Sequence, residues 1–178
     1  MVRVLAAGVV FVLVLTGCVR NSRAPAFELR DDRGHSWALQ DQTESVVLTF
    51  GYTHCGDTCP LMLAKLSKAL QRTGRSSEST DVAFVTVDPA RDTPGVLRTY
   101  LARFGPEFVG LTGTPLQIEA VERSYHVWSQ RLASKPGARD YSEAHGTTMF
   151  FIDGRHDIVS LHDESDSVDE LARSMRRL

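Results

Sequence analysis

Two runs of apolar and β-branched residues, "SVVLTFGY" (45–52) and "DVAFVTVDP" (81–89), bracket a stretch in which Leu63, Leu66 and Leu70 recur at helical spacing. Strands that lack polar alternation are buried on both faces, as in parallel sheets covered by helices. Parallel neighbours also need a long crossover connection, and the helix-patterned segment between the two runs supplies one. This βαβ unit places the chain in the α/β class, with a mixed central sheet and helices packed on it.

The flanking segments extend that frame. "FELRDDRGHSWAL" (27–39) predicts a hairpin turning at Asp31-Asp32-Arg33-Gly34. Pro60 fits the first position of the crossover helix, where its missing N–H costs nothing. Thr93-Pro94 start a second helix that stops at Gly105, and Thr114-Pro115 start a third. A less regular insertion (127–146) follows, with a strand at 126–132 and a loop around Pro136-Gly137. "TMFFIDGRHDIVSL" (148–161) reads as strand, turn at Asp153-Gly154, strand. The final helix carries a capping-box pattern at Ser167 and Glu170. A βαβ unit followed by a β-hairpin and a helix is the order of a thioredoxin-like domain, here with an extra N-terminal hairpin and a mid-chain insertion. At 178 residues and 42% hydrophobic, the chain suits one such domain, residues 27–178. A net charge of −2 with no basic cluster argues against a nucleic-acid partner.

The first residues stand apart. "MVRVLAAGVVFVLVLTGC" has an arginine near its start and an apolar run from Val4 to Leu15 that is too short to span a bilayer comfortably. It reads as an export signal, residues 1–17, and its "LTGC" end resembles a bacterial lipobox whose cysteine is acylated. Cys18 is then a lipid anchor on the extracytoplasmic face of the membrane, and residues 18–26 form a polar, proline-containing tether.

With Cys18 assigned to lipid, the domain holds only Cys55 and Cys59, between the end of a buried strand and the start of a helix. Unpaired N–H groups and the helix dipole favour thiolate there. A structural bridge closing so short a loop would restrict the unfolded chain little, so the pair is there for chemistry. It is suited to a redox couple, and equally to a soft metal such as Cu(I) or Zn(II). Structural zinc commonly takes four ligands and no further cysteine exists; copper accepts three, and a third would be a histidine. Of six histidines, His35, His156 and His162 read as surface residues, His54 adjoins Cys55 too closely, and His126 suits a helix end. His145 precedes a buried strand, in a loop that in thioredoxin-like domains returns beside the cysteines. On the residues alone its role stays open.

"GYTHCGDTCP", "VTVDPARDTPGVLRTYLARFG", "VGLTG" and "YSEAHGTTMFFID", in that order, resemble the SCO/SenC family of copper-binding, thioredoxin-like proteins. The resemblance implies copper held by Cys55, Cys59 and His145, and a metallochaperone rather than an enzyme. Its implied client is the CuA-bearing subunit of cytochrome c oxidase, served as copper donor or as reductant of the client's cysteines. Asp88 falls on the family's acidic position, expected to support a ligand, meet the partner or cap a turn, with Arg91 and Asp92 supporting its loop. This chain departs from the pattern at Gly56 and Gly146, where the family commonly has proline and serine. The rival reading is an extracytoplasmic thiol–disulfide oxidoreductase using Cys55 and Cys59 as its couple, which does not need His145. Phe50 and Tyr52 read as packing residues, and Trp37 and Trp128 as core or rim packing, with a partner surface as the alternative.

Overall fold

In the computed structural model, residues 22–74, 80–133 and 141–178 are described. The expected export signal, the expected lipid anchor at Cys18 and the loop expected around Pro136-Gly137 lie outside them. The chain opens with β1 (Ser22–Arg23), β2 (Glu28–Asp31), β3 (Ser36–Ala38), a 3-10 turn (Leu39–Asp41) and β4 (Ser45–Gly51). There follow α1 (Thr58–Thr73), β5 (Thr80–Thr86), α2 (Pro94–Leu101), β6 (Phe108–Thr112) and α3 (Pro115–Ser124). The last elements are β7 (Ser129–Ala133), β8 (Tyr141–His145), β9 (Met149–Ile152), β10 (Asp157–His162) and α4 (Val168–Met175).

Eight strands form one mixed sheet in the order β1-β10-β9-β4-β5-β6-β2-β3, in which β4, β5 and β6 run parallel. Every residue of β4 is buried, as its unbroken apolar run requires. One face packs Leu48, Phe50 and Val85 against Ile118 and Val121 of α3 and against Trp37. The other packs Val47, Phe84 and Phe151 against α1, α2 and α4. The α/β, thioredoxin-like expectation holds, and so does the N-terminal hairpin, as β2–β3.

Several details differ from the sequence reading. "FVGLT" is a third parallel strand, β6, hidden in the sequence by Gly110. A Cβ there would lie 2.7 Å from the Leu97 side chain, so the glycine lets α2 rest on the sheet. Pro60 is the third residue of α1, behind an Asp57 N-cap that accepts from Thr58 N at 2.6 Å, yet it is still in the turn that needs no N–H partner. α2 ends at Leu101, four residues before Gly105. His126 lies just past α3 in the left-handed region, φ 54°. His145 ends a strand, β8, which pairs with β7 in a separate two-stranded sheet. Ser22 and Arg23 are in the main sheet and Ala24 is buried, so these residues of the expected tether belong to the folded domain.

The register also sets polarity. Ser22 pairs with Ile158, Ile158 with Ile152, and Ile152 with Val46. The chain therefore joins the sheet at the N-terminal end of β4, while the cysteines follow its C-terminal end at Gly51. At roughly 3.3 Å per residue these points are about 17 Å apart along the strand.

Candidate metal centre

The centre lies where β4 gives way to α1. Cys59, in the first turn of α1, is fully buried, whereas Cys55 in the preceding loop is partly exposed; both are free thiols. The Cys59 N–H donates to Cys55 Sγ at 3.4 Å, so the open end of the helix faces the first sulfur. Close seating depends on Gly51, where a Cβ would meet Phe84 Cε2 at 2.7 Å and Cys59 Sγ at 3.0 Å.

His145 arrives from β8, and its Nε2 stands 3.4 Å from Cys59 Sγ. Its Nδ1 is 2.9 Å from the Gly146 carbonyl, which can only accept, so Nδ1 carries the proton. In the neutral ring this leaves the Nε2 lone pair directed at the sulfurs, the tautomer a ligand needs. Tyr52 meets the imidazole edge-on at 5.9 Å, closing one side, so it does more than fill the core. Cys55, Cys59 and His145 are thus brought together. Among the described residues, no three His, Cys, Asp or Glu side chains are already closed around a common point at metal-ligand distance. The donor set nevertheless fits a soft ion: two sulfurs, one oriented imidazole nitrogen and an open side at Cys55.

The two thiols titrate apart. The hydrogen bond from Cys59 brings Cys55 down to about 4 against the burial that opposes it, with His145 and the backbone N–H groups of Cys59 and Asp57 adding to the effect. Cys59 is pushed up by that same bond to Cys55 and by burial. Burial lowers His145, but the neighbouring Cys55 and the Gly146 carbonyl outweigh it and the net shift is upward. Cys55 therefore stabilises the fold above its ordinary value of 9.0, a contribution lost as pH falls toward 4. Cys59 works oppositely, stabilising below 9.0 and losing that contribution as pH rises. In the reduced protein, iodoacetamide should alkylate Cys55 at a rate nearly flat from neutral pH down to about pH 5, halving near pH 4, with Cys59 spared. A rate rising through a midpoint near the ordinary 9.0 would contradict this geometry.

The "VDPARD" segment braces the centre from beneath. Asp92, fully buried, accepts from Thr53 N (3.0 Å), Thr53 Oγ1 (2.6 Å) and Thr86 Oγ1 (2.7 Å), pinning the start of the cysteine loop to the end of β5. Asp88 is also fully buried; it pairs with Arg91 and accepts from Tyr141 Oη at 2.7 Å. At that depth its carboxylate is placed to anchor structure rather than to touch a partner. Asp92 supports the loop as expected, but Tyr141 and Arg131 escaped the sequence reading, although the alternation Tyr141, Glu143, His145 is a strand signal. His54, in the cysteine loop, turns to Thr53 Oγ1 at 3.2 Å; His162 bonds Asp166 and Ser174, and His156 bonds the Gln42 carbonyl. Trp37 is core, and Trp128 is 58% exposed, beside Gly146, at the rim rather than in the core.

The family model described as SCO1/SenC matches residues 19–178. The chain belongs to the SCO1/SenC family. Among its SCO relatives, the mitochondrial protein SCO1 homolog 1 of Arabidopsis thaliana is 35% identical over 145 residues, covering 80% of this chain and 42% of that protein. This chain thus spans less than half of that relative's length. The structure of Bradyrhizobium japonicum ScoI with copper bound matches with a TM-score of 0.79 at 30% identity, covering 88% of this chain and 99% of that one. A more distant likeness, of fold alone, is BsSco, described as having a disulfide switch and as a member of the Sco family of cytochrome c oxidase assembly proteins. It has 16% identity and a TM-score of 0.63, covering 88% of this chain and 95% of that one.

Proposed function

We propose that this SCO1/SenC protein is a copper metallochaperone that carries one copper on Cys55, Cys59 and His145 and serves assembly of the CuA site of cytochrome c oxidase. The observation that carries this reading is His145 Nε2 at 3.4 Å from Cys59 Sγ with its other nitrogen committed to Gly146. A redox couple can work without such an imidazole, whereas a three-ligand copper site needs one. The copper-bound ScoI structure supports the cargo, and the client is the one that the family resemblance implies. Cys55, the more exposed sulfur, is where an incoming client ligand displaces one of the chain's own.

In this reading residues 1–17 are a lipoprotein signal and acylated Cys18 holds the domain to the extracytoplasmic face of the membrane. No helix among the described residues is long and apolar enough to cross a membrane. The chain joins the sheet at the end remote from the cysteines, so a short tether leaves the centre facing away from the bilayer, toward a client's projecting domain. Tethering donor and acceptor to one membrane raises their effective concentration.

The test is a Cu(II) titration of the reduced protein without oxygen, beside His145→Ala. A stable thiolate-to-copper charge-transfer band at one equivalent is expected. In the variant it should shift, with affinity lower by at least the roughly hundredfold that losing an outer support can cost. Rapid loss of both thiols with no band, the same in both proteins, would instead favour the second reading, thiol–disulfide exchange, which the low-lying Cys55 thiolate supports. In that reaction Cys55 attacks a client disulfide and displaces one client sulfur as thiolate. Cys59 then loses its proton and attacks the Cys55 sulfur, releasing the second client thiolate. The client is reduced and the Cys55–Cys59 bond formed.

A further inference from the structure

His145 sits on the least supported element of the described fold. β7 and β8 pair only with each other, and a two-stranded hairpin is marginal without something to pack on. What fixes it to the body is therefore what fixes the imidazole. Side chains alternate along a strand, so Tyr141, Glu143 and His145 share the inward face of β8. His145 meets Cys59, and Glu143 is paired within the hairpin to Arg131 at 3.1 Å. Tyr52 also meets the Glu143 main chain and Glu122 meets Ser129 of β7, but Tyr141 makes the most extensive attachment of β8 to the main body.

Its hydroxyl donates to the buried Asp88 at 2.7 Å, and its carbonyl accepts from Arg91 Nη1 at 3.0 Å. The Arg91 guanidinium lies 3.6 Å from the Tyr141 ring centroid, and Arg131 lies 4.1 Å from the same ring. Arg91 is itself held by its ion pair with Asp88, whose N–H donates to Thr86 Oγ1 at 2.9 Å. Arg91 also reaches toward Tyr52, 5.9 Å to the ring centroid, the residue that walls His145. One arginine between β5 and α2 thus grips the start of β8 through the main chain, the ring and, by way of Asp88, the hydroxyl. His145 stands at the other end of that five-residue strand.

We infer that Tyr141 and Arg91 are positioning residues for the metal centre: they clamp β8 so that the His145 imidazole is held against Cys59 before any ion arrives. The inference rests on His145 being a ligand, as proposed above. A preset ligand spares binding the ordering of a mobile hairpin, and losing such outer support typically weakens a metal site about 10- to 100-fold.

The experiment compares the reduced wild type with Tyr141→Ala, Tyr141→Phe, Arg91→Lys and His145→Ala. Each is tested for Cu(I) affinity by competition with a chromophoric chelator and for the Cu(II) charge-transfer band. The metal-free proteins are also examined by NMR of the His145 ring nitrogens. Tyr141→Ala should bind copper at least about tenfold more weakly, with a band moved toward that of His145→Ala. Its metal-free His145 ring should lose the fixed Nδ1–H tautomer. Tyr141→Phe keeps the stacked ring and the main-chain bond and should fall between Tyr141→Ala and the wild type. Arg91→Lys retains charge beside Asp88 but not the guanidinium plane, and should follow Tyr141→Ala; it serves if the alanine variant does not fold. Wild-type affinity, band and ring signals in a folded Tyr141→Ala or Arg91→Lys overturn the inference while leaving the copper reading intact. An unchanged band and affinity in His145→Ala overturn both.

Discussion

Replacing Gly51 with alanine is expected to destabilise the reduced protein by roughly 1–3 kcal/mol, the range for overpacking a filled core. At about 2–4 °C per kcal/mol for a domain of this size, the thermal midpoint should fall by several degrees. The added methyl would lie 2.7 and 2.8 Å from two atoms of the Phe84 ring and 3.0 Å from Cys59 Sγ. Phe84 is fully buried and held between α1 and α2, so it has little room to give. Cys59 must share the displacement, and copper affinity should fall with stability. Gly56→Ala is the control, because a Cβ there meets nothing within 4 Å. Denaturant melts and copper competition on both variants check the claim. A Gly51→Ala protein as stable as Gly56→Ala would mean that the core beside the cysteines is looser than the structure describes. The same geometry shows that neither glycine departure from the family pattern needs to be glycine on steric grounds. At Gly146 a Cβ finds only ordinary contacts, the nearest 3.8 Å away on Trp128 and Val127, and neither residue has a positive φ.

Most of the frame was legible because burial writes itself into sequence as period. β4 and β5 are unbroken apolar runs, α3 and α4 carry the start signals read from Thr114-Pro115 and Ser167/Glu170, and the β9–β10 hairpin is marked by Asp153-Gly154. β6 was missed because Gly110, which lowers strand propensity locally, is selected by the approach of Leu97 from a helix distant in sequence. β8 was missed for a related reason. Its inward residues are polar, and a polar residue can face inward only where partners satisfy it. Those partners, Arg91 and Asp88 for Tyr141 and the cysteines for His145, lie some 50 to 90 positions away. The cysteine pair itself was plain from its place between strand and helix. That His145 faces it, and in which tautomer, depends on two backbone positions at Gly146 and Trp128 that no local pattern encodes.

The second large effect concerns Asp92. Asp92→Ala should cost roughly 2–4 kcal/mol, because it strands several polar groups at once in a buried setting. The carboxylate takes the Thr53 N–H, the Thr53 hydroxyl and the Thr86 hydroxyl, and it is fully buried. The hydroxyls can rotate toward other acceptors, but the Thr53 N–H cannot, and it fixes the backbone two residues before Cys55. The variant should therefore lose more than stability. Cys55 should no longer be held against the Cys59 N–H, now 3.4 Å from its sulfur. Its alkylation profile should move from a midpoint near 4 toward that of an ordinary thiol. Asp92→Asn separates shape from charge. With its oxygen at the Oδ2 position it can still accept from Thr53 N and Thr86 Oγ1, and its amide can donate to a turned Thr53 hydroxyl. The asparagine variant should recover more than half of the lost stability and most of the low thiol midpoint. If alanine melts with the wild type, or if asparagine fares no better than alanine, Asp92 does not brace the loop through these three bonds. The low-lying thiol would then owe its state to Cys59, His145 and the helix N-terminus without help from Asp92.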